Sequence, residues 1–287
     1  MKRHLMKKLF CLFFLLLALP LTALQYKYNL SICMIFRDEG PYLKEWIEFH
    51  RMLGVQHFYL YNNLSKDNYK EVLGPYIKRG IVELIEWDKE STYLGEWDSI
   101  QVGAYNDGLN RARTKTKWLA ILDSDEFLFP TVGNNLPLFL KKYEKLKKFG
   151  GLLVNWVCFG TSWVAKIPSD KLLIETLVLS VSSGNDHFKS VFLTNAVEHI
   201  CSPHYAIYKP GYHHISPKNG PPPFIAIDEI RINHYWSRDE WYLNKFKIPR
   251  RQVWGTDDAS CKLWAEVSNQ DYDPTILRFV TQLKSRM

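Results

Sequence analysis

The chain lacks most of the patterns that mark common enzyme classes. Its nine histidines include no HExxH or related zinc spacing, and its five cysteines form no CxxC pair. A glycine-rich phosphate loop is missing after the first strand-like run, where Phe36-Arg-Asp-Glu-Gly-Pro41 stands, which disfavours a sugar-phosphate nucleotidyltransferase. Walker-A and GxSxG patterns are missing too, which disfavours P-loop ATPases and serine hydrolases. Neither zinc-finger spacing nor a basic patch interleaved with aromatics supports nucleic-acid binding. Internal repeats and low-complexity tracts are absent. No apolar run reaches the roughly 20 residues that span a bilayer comfortably.

Acids are missing from residues 1–24, which carry Lys2, Arg3, Lys7 and Lys8. Setting that segment aside leaves 33 basic against 30 acidic residues, so the formal charge of +7 falls to +3. That balance is wrong for a general nucleic-acid binder. The basic start, Met1 to Lys8, precedes the apolar run Leu9 to Leu19, then Pro20, Thr22 and Ala23. This is the three-part order of a signal peptide, with a short signal anchor as the alternative. The expected location is secreted or exported, or membrane-anchored by the N-terminus, with membrane contact at most through that segment. Cys33 and Cys158 fall in apolar strand-like runs and read as buried free thiols.

What is present is a folded α/β pattern. Hydrophobic residues make up 46% and aromatics 15% of the 287, as in a globular chain rather than a disordered one. Strand signals at Leu30–Phe36, Val55–Tyr61, Ile81–Trp87, Trp118–Leu122 and Leu152–Phe159 alternate with helical ones. The first helix shows Leu43, Trp46, Ile47, His50 and Leu53 on one face. The pattern predicts a single α/β domain over 25–287, with a mostly parallel sheet and helices on both faces. Residues 25–160 form its regular half. Residues 161–287 are loop-rich, with a strand expected over Phe224–Ile232 after the loop Pro221-Pro222-Pro223, and a solvated segment at Asp271-Tyr272-Asp273.

The chemistry concentrates in Trp118-Leu-Ala-Ile-Leu-Asp-Ser-Asp-Glu-Phe-Leu-Phe-Pro130. An apolar run ends in three acids within four residues. On an extended backbone, Asp123 and Asp125 project to one side and Ser124 to the other. Paired carboxylates repel unless a cation sits between them, and hard divalent ions prefer oxygen ligands. An EF-hand is excluded, because the loop glycine and final glutamate are missing after Asp123. Two further loops at strand ends, Asp38-Glu39 and Asn62 to Asp67, converge on the same sheet edge. Asp38, Glu39, Asn62, Asn63 and Asp67 can offer hydrogen bonds to a base and ribose. Asp38 and Asp67 could equally cap helices, and Asn62-Asn63 could be turn residues.

Ile35-Phe-Arg-Asp-Glu-Gly-Pro-Tyr-Leu-Lys-Glu-Trp-Ile-Glu-Phe-His50, the following Leu-Gly-Val-Gln-His-Phe-Tyr-Leu-Tyr-Asn-Asn63 and the acid-tipped run resemble glycosyltransferase family 92 and its family 2 relatives. The resemblance continues through Asn155-Trp-Val-Cys-Phe-Gly-Thr-Ser162, Phe188-Lys-Ser-Val191 and Ile232-Asn-His-Tyr-Trp236. It implies a GT-A (Rossmann-like) fold, a nucleotide-sugar donor, Mn2+ or Mg2+ as cofactor, and inversion at the anomeric carbon. It adds His234 as a third metal ligand beside Asp123 and Asp125, and Lys189 to the donor-binding set. Residues 25–160 would then form the nucleotide-sugar half and 161–287 the acceptor-side half.

The expected activity is metal-dependent transfer of a sugar, a hexose for preference, from a UDP-sugar to a glycan, lipid or protein acceptor. Arg250, Arg251 or Lys247 could close over the phosphates. A carboxylate base must take the acceptor proton, and Asp186, Glu198 and Glu175 are the candidates, with Asp186 preferred for its loop setting. The alternative is a secreted carbohydrate-binding or inactive transferase-like protein, whose many Trp and Tyr residues would stack on sugars.

Overall fold

The computed structural model describes residues 25–181, 183–216 and 225–287. The signal-like segment 1–24 and the Pro221–Pro223 loop therefore lie outside the described residues. Among the described residues, no helix is long and apolar enough to cross a membrane.

The regular half follows its hydrophobic pattern. Strand β1 (Tyr28–Phe36) leads to helix α1 (Gly40–Met52), β2 (His57–Asn62), α2 (Tyr69–Lys78), β3 (Val82–Glu86), α3 (Leu94–Ala112) and β4 (Thr116–Ile121). Alternation along β1 divides the core. Leu30, Ile32, Met34 and Phe36 face Leu43, Trp46, Ile47 and Leu73 of α1 and α2. Cys33 and Ile35 face Ile100, Ala104, Tyr105 and Leu109 of α3. Helices therefore cover both faces, as the near-continuous apolar strands require.

The sheet is mixed, which corrects the mostly parallel expectation. Its order is β3-β2-β1-β4-β8-β6-β12-β5. The first four of these strands are parallel. Strand β8 (Phe188–Leu193) returns antiparallel between β4 and β6 (Phe149–Cys158). Strand β12 (Ile230–His234) runs parallel to β6 and antiparallel to β5 (Glu126–Pro130). After β4, the chain thus crosses to the far end of the sheet before the returning strands fill the gap. The expected strand over Phe224–Ile232 begins later, at Ile230, and continues to His234.

The loop-rich half adds short elements and differs from expectation at one further place, Asp273. The apolar stretch Leu172–Leu179 is one helical turn, Leu173–Thr176, which we label α5, followed by the short strand β7 (Leu179–Ser180). Asp271–Tyr272 pairs with β7, and Asp273 binds Arg231 through both carboxylate oxygens at 2.7 and 2.8 Å. That acid is a structural ion-pair partner rather than a solvated one. After β12 come α6 (Glu240–Tyr242), a π-helical turn (Leu243–Lys247), α7 (Ile248–Gln252) and α8 (Asp258–Val267).

Candidate active site

Asp123 and Asp125 sit in the turn between β4 and β5 rather than on an extended strand, and Glu126 is the first residue of β5. The Glu126 side chain closes the turn by accepting from the Asp123 amide at 2.8 Å. Two residues of α1 hold it from behind. The Trp46 indole donates to the Glu126 carbonyl at 2.7 Å, and His50 Nε2 accepts from the Leu128 amide at 3.1 Å. These contacts explain the Trp-x-x-x-His spacing of α1, which sequence reasoning had read only as an apolar face.

Asp123, Ser124, Asp125 and His234 line a cavity of about 690 Å³. Asp123 Oδ1 accepts from Gln101 at 2.7 Å and Tyr105 at 2.9 Å, one turn apart on α3. Its Oδ2 lies 2.9 Å from the ammonium of Lys189, which is wholly buried and also donates to the Pro203 carbonyl. Asp125 Oδ2 meets Lys247 at 2.9 Å, and its Oδ1 lies 3.5 Å from His234 Nε2. Burial alone would raise the Asp125 carboxyl, but Lys247 and His234 outweigh it and hold it well below the usual range. Burial would lower Lys189, and Asp123 and Glu126 outweigh that, so it stays charged. For Glu126 the balance goes the other way: burial pushes its carboxyl well up, Lys189 at 3.7 Å opposes that, and the charges of Asp123 and Asp125 add to the rise.

The expected metal triad is therefore only partly assembled. Asp125 and His234 present an oxygen and an imidazole nitrogen at chelating separation, a donor pair that fits a divalent cation. Asp123 is turned toward Gln101, Tyr105 and Lys189. Among the described residues, no three His, Cys, Asp or Glu side chains converge as a ligand set. The fit is to two protein ligands, with Lys247 already placing positive charge on the second oxygen of Asp125.

The opposite wall is basic. The segment from α6 to α7 brings Lys245, Lys247, Arg250 and Arg251 to the cavity. Sequence reasoning singled out the last three without a way to place them. Trp97 of α3 stacks on Trp254 at 5.8 Å near the same wall. Asp98, a cavity carboxylate that burial raises against the opposing charge of Arg251 and Lys189, was missed because it sits in an ordinary amphipathic helix.

The remaining expected residues divide clearly. Asp38 and Glu39 line the cavity, Asp38 in a left-handed backbone conformation with its carboxylate accepting from the Lys66 amide at 2.7 Å. Glu39 is paired with Arg238 and accepts from the Tyr242 hydroxyl at 2.9 Å. Asn62, Asn63 and Asp67 do not line it. Asn62 binds Tyr69 and Glu86, Asn63 donates to the Trp87 and Lys89 carbonyls, and Asp67 accepts from the Gly40 amide at 2.6 Å. These side chains build the loops, as their alternative roles in caps and turns allow. Glu175 closes the N-terminus of α5 by accepting from the Leu172 amide and pairs with Lys284 at 2.7 Å. Glu198 is exposed on β9 (Val197–Ile200), and neither residue lines the cavity. Asp186 does not line it either, but its neighbour His187 does.

Residues 28–211 match the model for glycosyltransferase family 92. A family 92 protein of Oryza sativa subsp. japonica is 29% identical over 141 residues, covering 49% of this chain and 23% of that protein. A galactan beta-1,4-galactosyltransferase of Arabidopsis thaliana is 32% identical over 130 residues, covering 43% of this chain and 25% of that protein. The chain spans between 23% and 40% of the length of the curated relatives it matches. Among solved structures, S. aureus TarS 1-349 aligns over 83% of this chain and 70% of its own, at 9% identity and a TM-score of 0.43.

Proposed function

The chain belongs to glycosyltransferase family 92, and from that premise we propose that it transfers a sugar from a nucleotide-sugar, UDP-linked for preference, to a glycan, lipid or protein acceptor. The observation that carries this reading is a single cavity with an acid turn on one wall and four cations on the other. With Asp123 held by Lys189 and Asp125 by Lys247, the basic wall keeps Lys245, Arg250 and Arg251 for phosphate oxygens. Fixed charges of this kind stabilise a leaving diphosphate without reorganising during the reaction.

Asp125 and His234 would hold Mn2+ or Mg2+, which supplies further positive charge to the diphosphate. Tyr105 and Gln101 keep Asp123 oriented, and Lys189 keeps it ionised. Asp38 lies where a base or ribose would be met. Residues 25–160 make the nucleotide-sugar side, and 161–287 make the acceptor side while sending Lys247, Arg250 and Arg251 back across the donor. Inversion requires in-line attack from the face opposite the diphosphate. The N-terminal segment directs export or anchors the chain, which fractionation with N-terminal sequencing would test.

The test is turnover of a nucleotide-sugar panel by the purified protein, with and without Mn2+, in wild type and two variants. Asp125→Asn should lose about 100-fold or more in kcat, and because it leaves Lys247 without its carboxylate it should also lower the melting temperature while remaining folded under assay conditions. His234→Ala should raise the manganese requirement while leaving metal-free stability within about 1 kcal/mol. Near-full turnover by Asp125→Asn would remove the acid turn from the reaction.

A further inference from the structure

Resting on the transferase reading, we propose that His187 is the general base that takes the acceptor proton, with Asp186 as its positioning residue. The argument begins at Trp156, whose indole lines the cavity. On one side its ring lies 4.2 Å from the His234 ring, and His234 reaches Asp125. On the other it stacks nearly parallel on His187, with centroids 5.3 Å apart and planes 11° from each other. One indole thus separates the acid-turn edge of the cavity from an imidazole. Both faces of the indole are therefore taken by imidazoles, and the one that stays open to an acceptor entering the cavity is His187, whose side chain is 54% exposed.

The imidazole is held for that task. His187 Nδ1 lies 3.1 Å from Asp186 Oδ1, which directs the Nδ1 proton to the carboxylate and leaves the Nε2 lone pair free to accept. Pairing of β6 with β8 fixes the backbone. The His187 carbonyl accepts from the Trp156 amide at 3.0 Å, and its own amide donates to Asn185 Oδ1 at 3.1 Å. The groups facing the ring are Asp186 beside it, Trp156 beneath it and His204 at 6.3 Å.

The other cavity groups are less suited. Asp123, Asp125 and Glu39 are each bound to a buried or half-buried cation. Asp98 lies within the fields of Arg251 and Lys189, on the leaving-group side. His204 gives Nδ1 to the Phe188 carbonyl at 3.0 Å, and burial and Lys189 push it down to about 4, too weak a base at neutral pH. In the step itself, the acceptor oxygen forms the new bond to the anomeric carbon. The bond to phosphate oxygen breaks with its electron pair, and the acceptor proton passes to His187 Nε2. Asp186 stabilises the resulting imidazolium.

Wild-type turnover of a nucleotide-sugar is the first arm of the test. Its absence overturns the transferase reading and this inference with it. Given turnover, His187→Ala and His187→Gln should each lower transfer kcat by about 10²- to 10⁴-fold, while uridine diphosphate binding by calorimetry stays within about twofold. Asp186→Asn should lose less, and lose it in kcat with the donor KM unchanged, because only the orientation of the imidazole is disturbed. Transfer within about threefold of wild type in either His187 variant overturns the inference alone. So does loss of uridine diphosphate binding in step with transfer, which marks a structural role. Loss of transfer in Asp98→Asn as large as in the His187 variants, with uridine diphosphate binding kept, also overturns it.

Discussion

His50 shows how a single side chain supports the site without touching it. Its Nδ1 lies 2.9 Å from the Trp46 carbonyl and its Nε2 accepts from Leu128, a pair of bonds that only the neutral ring can make. Burial pushes it down to about 3 from an ordinary 6.5. Between those values the unfolded chain takes up a proton that the folded chain refuses, so this contribution to stability is lost as pH falls through the window. His50→Gln should destabilise the protein at pH 7, and the gap from wild type should narrow by about 1 to 2 kcal/mol at pH 5. Urea unfolding at the two pH values measures it; a constant gap would show that His50 titrates normally. Nothing in the apolar periodicity of α1 distinguishes this histidine from its aliphatic neighbours. The acid cluster was legible as a cluster, because an apolar run that ends in three acids stands out, but that Glu126 serves to close the turn was not. The loop amides were ambiguous, since Asn62 and Asn63 could offer a ribose the same donors that they give to Tyr69, Glu86 and the Trp87 and Lys89 carbonyls.

Among elements, α8 is fixed to the end of β6 by a contact that no side chain could tolerate. A Cβ on Gly160 would lie 2.2 Å from Asn269 Oδ1 and 2.5 Å from the Ala265 carbonyl. The Gly160 amide donates to the Ser268 carbonyl at 3.0 Å, so the backbones touch directly. Gly160→Ala should cost about 1 to 3 kcal/mol by forcing α8 away. It should also weaken uridine diphosphate binding, because Trp264 of α8 packs on Trp236, the ring beneath Lys247 and Arg251. Thermal melting and calorimetry check the two effects; an unchanged melting temperature would show that the joint has slack. Element identity was readable wherever one face was apolar, as in β1 to α3. Sheet direction was not. The six-residue strand β8 carries no mark that it runs antiparallel, and that property depends on partners far away in sequence.

For the whole molecule, the decisive joint links the first loop to the C-terminal arm. Arg238 is fully buried between the rings of Tyr42 and Tyr242, at 3.6 and 4.3 Å, and pairs with Glu39. Removing one member of such a pair strands the other charge in the interior. Glu39→Gln should cost about 3 kcal/mol or more, and Glu39→Gln with Arg238→Met should recover part of it; equilibrium unfolding of both variants decides. The division into a regular half and a loop-rich half was visible in composition, but this clasp between them was not, since Glu39 reads as a donor-site carboxylate and Arg238 lies in no motif. It also sets an order in time. Lys247 lies 122 residues beyond the carboxylate it neutralises. A ribosome extends the chain at about 5 to 20 residues per second, so for several seconds the nascent protein carries its acids without this counter-charge. The cavity is consequently among the last features to mature, and a chain released before the arm would hold nearly the whole sheet while its cavity lacked the basic wall.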